Sequence, residues 1–173
     1  MNPGNLVFLD ESGVNTDMTR LYARAKGAQR AYDSTPLNTG TSTTILSSIR
    51  LDGECVYTTF SGAVNGERFK EYLRESLVAS LHPGDIVIMD NLRSHKVDGV
   101  ADLIKSAGAS VLYLPPYSPD FNPIEEMWSK IKAFLRMTKA RSVDTLLRTI
   151  PLAFDCVSSA DILVWFLHAG YSG

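Results

Sequence analysis

The sequence predicts an α/β fold with a mixed five-stranded sheet, in which three antiparallel strands precede two parallel strands and helices flank the sheet. The first observation is the Asp52-Gly53 pair, a strong hairpin signal between two runs rich in β-forming residues. The second is a helical pattern between two short apolar strands later in the chain, which implies a right-handed parallel crossover. With 173 residues, we expect a single domain over 1–173 with its own core.

The three antiparallel strands are predicted at 5–10, 43–51 and 54–61. The first is a short apolar run that ends at an aspartate, and the other two flank the hairpin signal. The intervening residues 14–42 are less regular, with a short strand expected at 21–25. Loops in this region are marked by Gly27, Asp33, Pro36, Asn38 and Gly40.

The apolar pattern in the middle of the chain predicts a helix, a strand, a second helix and a second strand, in that order. Asn65 is a helix cap, and His82 belongs to the residues that end that helix. A strand is then expected at 85–89, a helix at 97–107 with a glycine C-cap, and a strand at 110–114. The apolar stripe of the first helix consists of Phe69, Tyr72, Leu73, Leu77 and Leu81.

A proline-rich turn leads into the strongest helical pattern of the chain. Asn122 is expected to be its N-cap, and Pro123 suits the first helical position. The apolar face of this helix consists of Ile124, Met127, Trp128, Ile131, Phe134 and Leu135.

Two more helices are expected after it. Ser142 should cap the first, which Pro151 should break or kink. Ser159 should cap the second, over 161–169, and that helix should pack on the sheet.

Composition limits the classes of function. The net charge of −2 gives no global basic field, so a nucleic-acid partner requires local basic patches. Cys55 and Cys156 show no metal-binding spacing and are expected to be reduced, buried thiols of a cytoplasmic protein. The N-terminus has no signal-peptide pattern, and the longest apolar stretch, 162–167, is too short to span a membrane.

Three carboxylates stand at predicted junctions between elements: Asp10, Asp90 and Glu125. The first two end strands expected to be neighbours, and the third lies in the first turn of the long helix. Converging carboxylates without histidine or cysteine ligands favour Mg²⁺ or Mn²⁺, and three unpaired acids would otherwise repel each other. Two of them also have a structural interpretation, since Asp10 could be a turn residue and Glu125 could complete a capping box with Asn122.

Three motifs surround the acids: FLDESG at 8–13, DNLRSHK at 90–96 and LPPYSPDFNPIEEMW at 114–128, and 34 residues separate the second and third acids. These motifs and this spacing resemble the catalytic domain of DDE transposases of the mariner superfamily, in its bacterial insertion-sequence branch. The resemblance implies a ribonuclease H-like fold, with Asp10, Asp90 and Glu125 as catalytic metal ligands. It also implies two ions per site, with Asp10 contacting both and each of the other acids holding one.

The resemblance places further residues near the site. Asn91, His95 and Asn122 match motif positions, and His95 could meet a phosphate, orient a ligand or be a surface histidine. Lys96 is expected to contact DNA. So is the acid-free basic segment 129–141, through Lys130, Lys132, Arg136 and Lys139, although a solvated helix face would show the same pattern.

Full-length members of this family carry helix-turn-helix modules before the first aspartate, whereas only nine residues precede Asp10 here. The resemblance therefore implies a downstream reading frame or a fragment, with an upstream helix-turn-helix polypeptide as a partner. It further implies cut-and-paste transposition by a nucleoid-associated homodimer acting on DNA. The alternatives are a stand-alone ribonuclease H-like nuclease and an inactive regulatory fragment that assembles with a full-length transposase.

Overall fold

The computed structural model describes residues 2–27, 29–37, 40–116 and 118–172, and its centre is a five-stranded sheet of order β3-β2-β1-β4-β5. The β1–β2 and β2–β3 pairs are antiparallel, and the β1–β4 and β4–β5 pairs are parallel. The predicted mixed sheet is therefore confirmed. The strands are β1 (Leu6–Val14), β2 (Thr43–Arg50), β3 (Cys55–Ser61), β4 (Ile86–Met89) and β5 (Ser110–Tyr113).

The hairpin between β2 and β3 forms where the sequence predicts it. Gly53 adopts a φ of 101°, a left-handed conformation that a residue with a side chain would adopt only with strain. The strand expected at 21–25 does not form: none of the described strands pairs with these residues, and Tyr22 is 89% exposed. The predicted loop residue Asn38 lies outside the described residues.

Strand β1 is longer than predicted, and this changes the position of Asp10. Its parallel pairing with β4 ends at Phe8, opposite Ile88, but its antiparallel pairing with β2 continues to Val14. Asp10 therefore does not end its own strand. It lies just beyond the end of the β1–β4 pairing, within a strand that β2 keeps extended.

The first helical segment comprises α1 (Gly66–Tyr72), a π-helical turn (Leu73–Leu77) and α2 (Val78–Ser80). The Asn65 cap is confirmed, since its side chain accepts a hydrogen bond from the Arg68 N–H at 3.0 Å. The next helix, α3 (Val100–Ser106), begins later than predicted. A 3₁₀ turn at Arg93–Lys96 precedes it, and the left-handed Gly99 (φ 90°) lies in the expected first turn, so the helix starts only at Val100.

The last three helices are α4 (Ile124–Thr138), α5 (Val143–Asp155) and α6 (Ser159–His168). Ser142 caps α5 as predicted, but Pro151 does not break that helix. The predicted cap of α6 is wrong by one residue, because Ser158 forms a capping box with Asp161.

The two faces of the sheet carry separate cores, because successive residues of a strand point to opposite faces. Phe8 packs on the face covered by α4, α5 and α6, where its ring meets Phe166 edge-on at 5.2 Å. Val7 and Leu9 pack on the opposite face, with α1, the π-helical turn and α3. The next two residues of β1, both acids, continue this alternation.

Cys55 is half-buried and Cys156 is exposed, and neither forms a disulfide, so the expectation of two buried thiols is wrong for Cys156. Among the described residues, no single helix has the length and apolar composition of a membrane span. The α5 and α6 pair, bent by 77°, meets those two criteria together.

Candidate active site

Asp10 is held at the edge of one core by two hydrogen bonds. Only 7% of the residue is exposed. Its Oδ1 accepts from the backbone N–H of Glu11 at 2.8 Å, and its Oδ2 accepts from the indole N–H of Trp128 at 3.2 Å. The carboxylate is thereby fixed between β1 and α4.

The pKa of Asp10 is raised to about 7, mainly by burial; the charges of Glu125 and Asp90 also act to raise it, whereas the hydrogen bonds from the Glu11 N–H and Trp128 act to lower it. A carboxylate that is costly to ionise for these reasons is one that a neighbouring cation would stabilise.

Asp90 follows β4 directly and is held in a different way. Its Oδ1 accepts from the Leu92 N–H at 3.0 Å and lies 2.7 Å from Nδ1 of His95. Burial acts to raise the pKa of Asp90, but the contacts with His95 and Leu92 outweigh it and lower the pKa. Asp90 is therefore the acid of the pair that ionises readily.

His95 is not a surface histidine, since its side chain is fully buried. Its ring packs on Phe69 with a centroid distance of 4.3 Å, and its carbonyl accepts a hydrogen bond from the Tyr113 hydroxyl. A buried ring does not reach a phosphate in solvent. Of the expected roles, the structure is compatible with orienting Asp90.

Glu125 lies in the first turn of α4 and is exposed. The expected Asn122 cap does not form: α4 starts at Ile124, and it is the Asn122 backbone carbonyl that accepts from the Glu125 N–H, at 3.1 Å. Within the described part of the chain, the Glu125 carboxylate has no hydrogen-bond or ion-pair partner. Its neighbour Glu126 lies 3.2 Å from Nδ1 of His168 on α6 instead.

The three acids line one open pocket of about 420 Å³ between the ends of β4 and β5 and the start of α4. Asn91 closes one side, because its side-chain amide donates to the carbonyl of Leu114 and so joins the ends of the two strands. Asn122 also lines the pocket. Its buried Oδ1 has no hydrogen-bond partner among the described residues.

The chemistry of this pocket fits a divalent cation, although no group of three described His, Cys, Asp or Glu residues is arranged tightly enough to enclose an ion as it stands. The carboxylates are hard oxygen donors, and the described residues that line the pocket include no lysine or arginine to neutralise them. Mutual repulsion already raises the pKa of Asp10. Mg²⁺ or Mn²⁺ would therefore be held by Asp10, Asp90 and Glu125.

The predicted DNA-binding residues fall into two groups. Lys130 and Lys139 are occupied by ion pairs with Asp161 (2.5 Å) and Asp33 (2.8 Å). The Lys96 ammonium lies over the Tyr113 ring, 5.0 Å from its centroid.

Lys132 and Arg136 form the second group, since neither has an ion-pair partner in the described part of the chain. They follow Glu125 by seven and eleven residues, so both lie within about 20° of it around the helix. Lys132 and Arg136 therefore form a basic track on the Glu125 face of α4. Along the helix axis they lie about 10 and 16 Å from Glu125, respectively.

The DDE superfamily endonuclease family matches residues 5–147, which include all three acids. The chain belongs to this family. The prediction of a DDE catalytic domain is thus confirmed at the level of the family, and the bacterial insertion-sequence branch stays a prediction. No curated protein matches the chain at a significant level.

Solved DDE domains share the fold. The Mos1 transposase paired-end complex with left transposon end aligns with 96% of this chain and 52% of its own, at 18% identity and a TM-score of 0.75. The Mos1 mariner paired-end complex with Mg aligns with 95% of this chain and 52% of its own, at 19% identity and a TM-score of 0.71. The catalytic domain of Mos1 mariner transposase aligns with 96% of this chain and 77% of its own, at 16% identity and a TM-score of 0.65. This DDE domain spans about half the length of the transposase chains in those complexes.

Two site residues escaped the sequence-based prediction. The sequence pattern places Trp128 only on the apolar face of its helix. The residue that accepts its indole hydrogen bond, Asp10, lies 118 residues away on β1. Glu11 stands beside Asp10 in the first motif, but nothing in the local pattern distinguishes it from a solvent-facing acid. Its half-buried position becomes visible only in the fold.

Proposed function

We propose that this DDE domain is the catalytic domain of a transposase that cuts and joins DNA strands with Asp10, Asp90 and Glu125. The observation that carries the proposal is the convergence of these acids, from β1, the end of β4 and the start of α4, on one pocket in a chain of the DDE endonuclease family. Mg²⁺ or Mn²⁺, as two ions, would supply Lewis-acid stabilisation of the attacking and leaving oxygens at phosphorus.

The residues of this chain have separable tasks in that reaction. Asp10 would contact both ions, while Trp128 and the Glu11 N–H keep its two oxygens oriented. Asp90 and Glu125 would each hold one ion. Strand cleavage and strand transfer are both in-line displacements at phosphorus, so one such site serves water in the first step and a DNA 3′-OH in the second.

DNA would approach along the Glu125 face of α4. Lys132 and Arg136 lie on this face and have no acidic partner among the described residues, so they can neutralise phosphates without breaking an internal ion pair. The Mos1 structure with a left transposon end is a DNA complex of a protein with this fold, which supports DNA as the partner. We further propose a homodimer in the active assembly, sequence readout by a helix-turn-helix polypeptide, and a cytoplasmic, nucleoid-associated location.

The experiment combines metal location with a joining assay. Crystals soaked in Mn²⁺ should show anomalous density between the three acids in the wild type, and this density should be lost in Asp10→Asn. An oligonucleotide with a free 3′-OH should be joined to plasmid DNA in the presence of Mn²⁺.

Glu71→Gln, an exposed acid on α1, is the matched control and should behave as the wild type in both assays. Cleavage without joining would identify a stand-alone nuclease. Absence of both metal binding and cleavage would favour the regulatory alternative and contradict the proposal.

A further inference from the structure

Tyr171 follows α6 and contacts the turn that leads into α4. Its hydroxyl donates a 2.8 Å hydrogen bond to the backbone carbonyl of Phe121. Phe121 ends the 3₁₀ turn Pro119–Phe121, which Asn122 and then α4 follow. A residue outside the family match at 5–147 therefore contacts the segment just before Glu125.

The end of α6 determines the direction of the Tyr171 side chain. Gly170 ends the helix in the left-handed conformation, with a φ of 88°. Its N–H donates to the Leu167 carbonyl at 3.1 Å, and the Tyr171 N–H donates to the Phe166 carbonyl at 2.8 Å. These two bonds form a Schellman motif, in which the residue after the glycine packs back on the helix. The rings of Tyr171 and Phe166 accordingly meet with their centroids 6.2 Å apart.

The Tyr171 ring also packs on the strand that carries Asp10. Its centroid lies 4.9 Å from that of Phe8, a fully buried residue two positions before Asp10 on β1. This half-buried side chain therefore contacts β1 with its ring and the turn before α4 with its hydroxyl.

The turn belongs to a segment that forms one wall of the pocket. The lining residues of this segment are Pro115, Pro116, Ser118, Pro119 and Asn122. Within the described residues, the Tyr171 bond is the only hydrogen bond that joins 115–122 to a residue more than four positions away. The other bonds are local, since the Asn122 N–H donates to the Pro119 carbonyl and the Asn122 carbonyl accepts from the Glu125 N–H.

We propose that Tyr171 is a positioning residue: its hydroxyl holds the turn Pro119–Phe121, so that Asn122 and Glu125 stay in place at the pocket. The inference rests on the proposed function, because it takes Glu125 as a metal ligand. A hydrogen bond that preorganises a site can change the affinity of that site only by its own free energy. Its loss should therefore weaken metal binding about three- to tenfold, which corresponds to about 0.7–1.4 kcal/mol.

Tyr171→Phe tests the proposal in the whole chain, because it removes the hydroxyl and keeps the ring contacts with Phe8 and Phe166. Amide hydrogen exchange in the metal-free protein measures how often the turn opens. The Asn122 and Glu125 amides should exchange about three- to tenfold faster in the variant. The Mn²⁺ dissociation constant, measured by calorimetry, should rise by a similar factor.

Tyr72→Phe is the matched control, since the Tyr72 hydroxyl donates to the Val56 carbonyl at 2.9 Å in the core on the other face of the sheet. This variant loses a bond of the same kind and should lower the urea midpoint of unfolding. It should leave the exchange of the Asn122 and Glu125 amides and the Mn²⁺ affinity unchanged. A role of Tyr171 in overall stability alone would make the two variants alike in every measurement.

The proposal is overturned if Tyr171→Phe leaves either the amide exchange or the Mn²⁺ affinity unchanged, or if Tyr72→Phe changes both by the same factors. A wild type that binds no Mn²⁺ would instead contradict the proposed function. In that case the amide exchange alone decides whether Tyr171 holds the turn.

Discussion

The indole N–H of Trp128 on α4 donates a 3.2 Å hydrogen bond to Oδ2 of Asp10 on β1. This bond links the helix that carries Glu125 to the strand that carries Asp10, so two of the three acids are positioned by one contact. Trp128 is 3% exposed, and its ring also packs edge-on with Phe154.

Trp128→Phe tests the value of that bond. We expect the free energy of unfolding at pH 8 to fall by about 1–3 kcal/mol more than in a control, because a donor to a charged acceptor is lost. Trp165→Phe is the control, since Trp165 is similarly buried but its indole has no hydrogen bond among the described residues. Denaturant unfolding of both variants gives the comparison, and equal losses would show that the bond contributes nothing.

The raised pKa of Asp10 predicts a pH dependence of stability in metal-free protein. The pKa rises from 3.8 to about 7 on folding, so the folded state favours the protonated acid, and stability is lost as the pH rises through this range. Asp10→Asn removes this titration. The variant should therefore gain about 2–3 kcal/mol relative to the wild type between pH 5 and pH 8.

Urea unfolding in EDTA measures this difference. Adding Mn²⁺ at pH 8 should stabilise the wild type but not Asp10→Asn, because ligand binding to the folded state adds to its stability. A difference that is constant with pH would show that Asp10 ionises as easily in the fold as outside it.

Glu125 and Glu126 should differ in function although they are neighbours. Glu125 lines the pocket, whereas Glu126 contacts His168 on α6. With helix-turn-helix modules added, Glu125→Gln should abolish DNA cleavage, and Glu126→Gln should only weaken it. A plasmid-nicking assay in Mn²⁺ compares the two variants, and wild-type activity in Glu125→Gln would remove that residue from the site.

DNA binding by this chain should be weak, sensitive to salt and indifferent to sequence, because the described residues include no module that places side chains in a groove. Reversing the charge at Lys132 and Arg136 should weaken binding to every duplex alike and reduce the salt slope by about 2. The matched control reverses Arg74 and Lys105, which are exposed on the π-helical turn and on α3.

Gel-shift competition at several salt concentrations measures both effects. If transposon ends outcompete random duplex by tenfold or more, about 1.4 kcal/mol, the chain itself reads bases. If the control pair lowers the salt slope as much as the Lys132 and Arg136 pair, the track on α4 is not the DNA contact.

The sequence by itself determined the features that depend on neighbours within a few residues. The Asp52-Gly53 turn, the Asn65 and Ser142 caps and the buried face of α4 all formed as predicted. Each rests on local backbone preference or on a 3.6-residue period, and neither requires a distant partner. The three motifs likewise predicted Asp10, Asp90 and Glu125 as the candidate metal ligands, because motif residues and their spacing are properties of the sequence itself.

Only the tertiary structure decided what those acids and their neighbours contact. Because β1 pairs with β2, the strand continues beyond Asp10. The indole N–H of Trp128, far away in the sequence, donates a hydrogen bond to the Asp10 carboxylate. His95, expected among other roles to meet a phosphate, is buried against Phe69 instead. Asp161 and Asp33 occupy two of the predicted DNA-binding lysines. These contacts join residues that are between 26 and 118 positions apart in the sequence. Hydrogen bonds, ring contacts and ion pairs act over only a few ångströms, so they form only after folding brings such residues together.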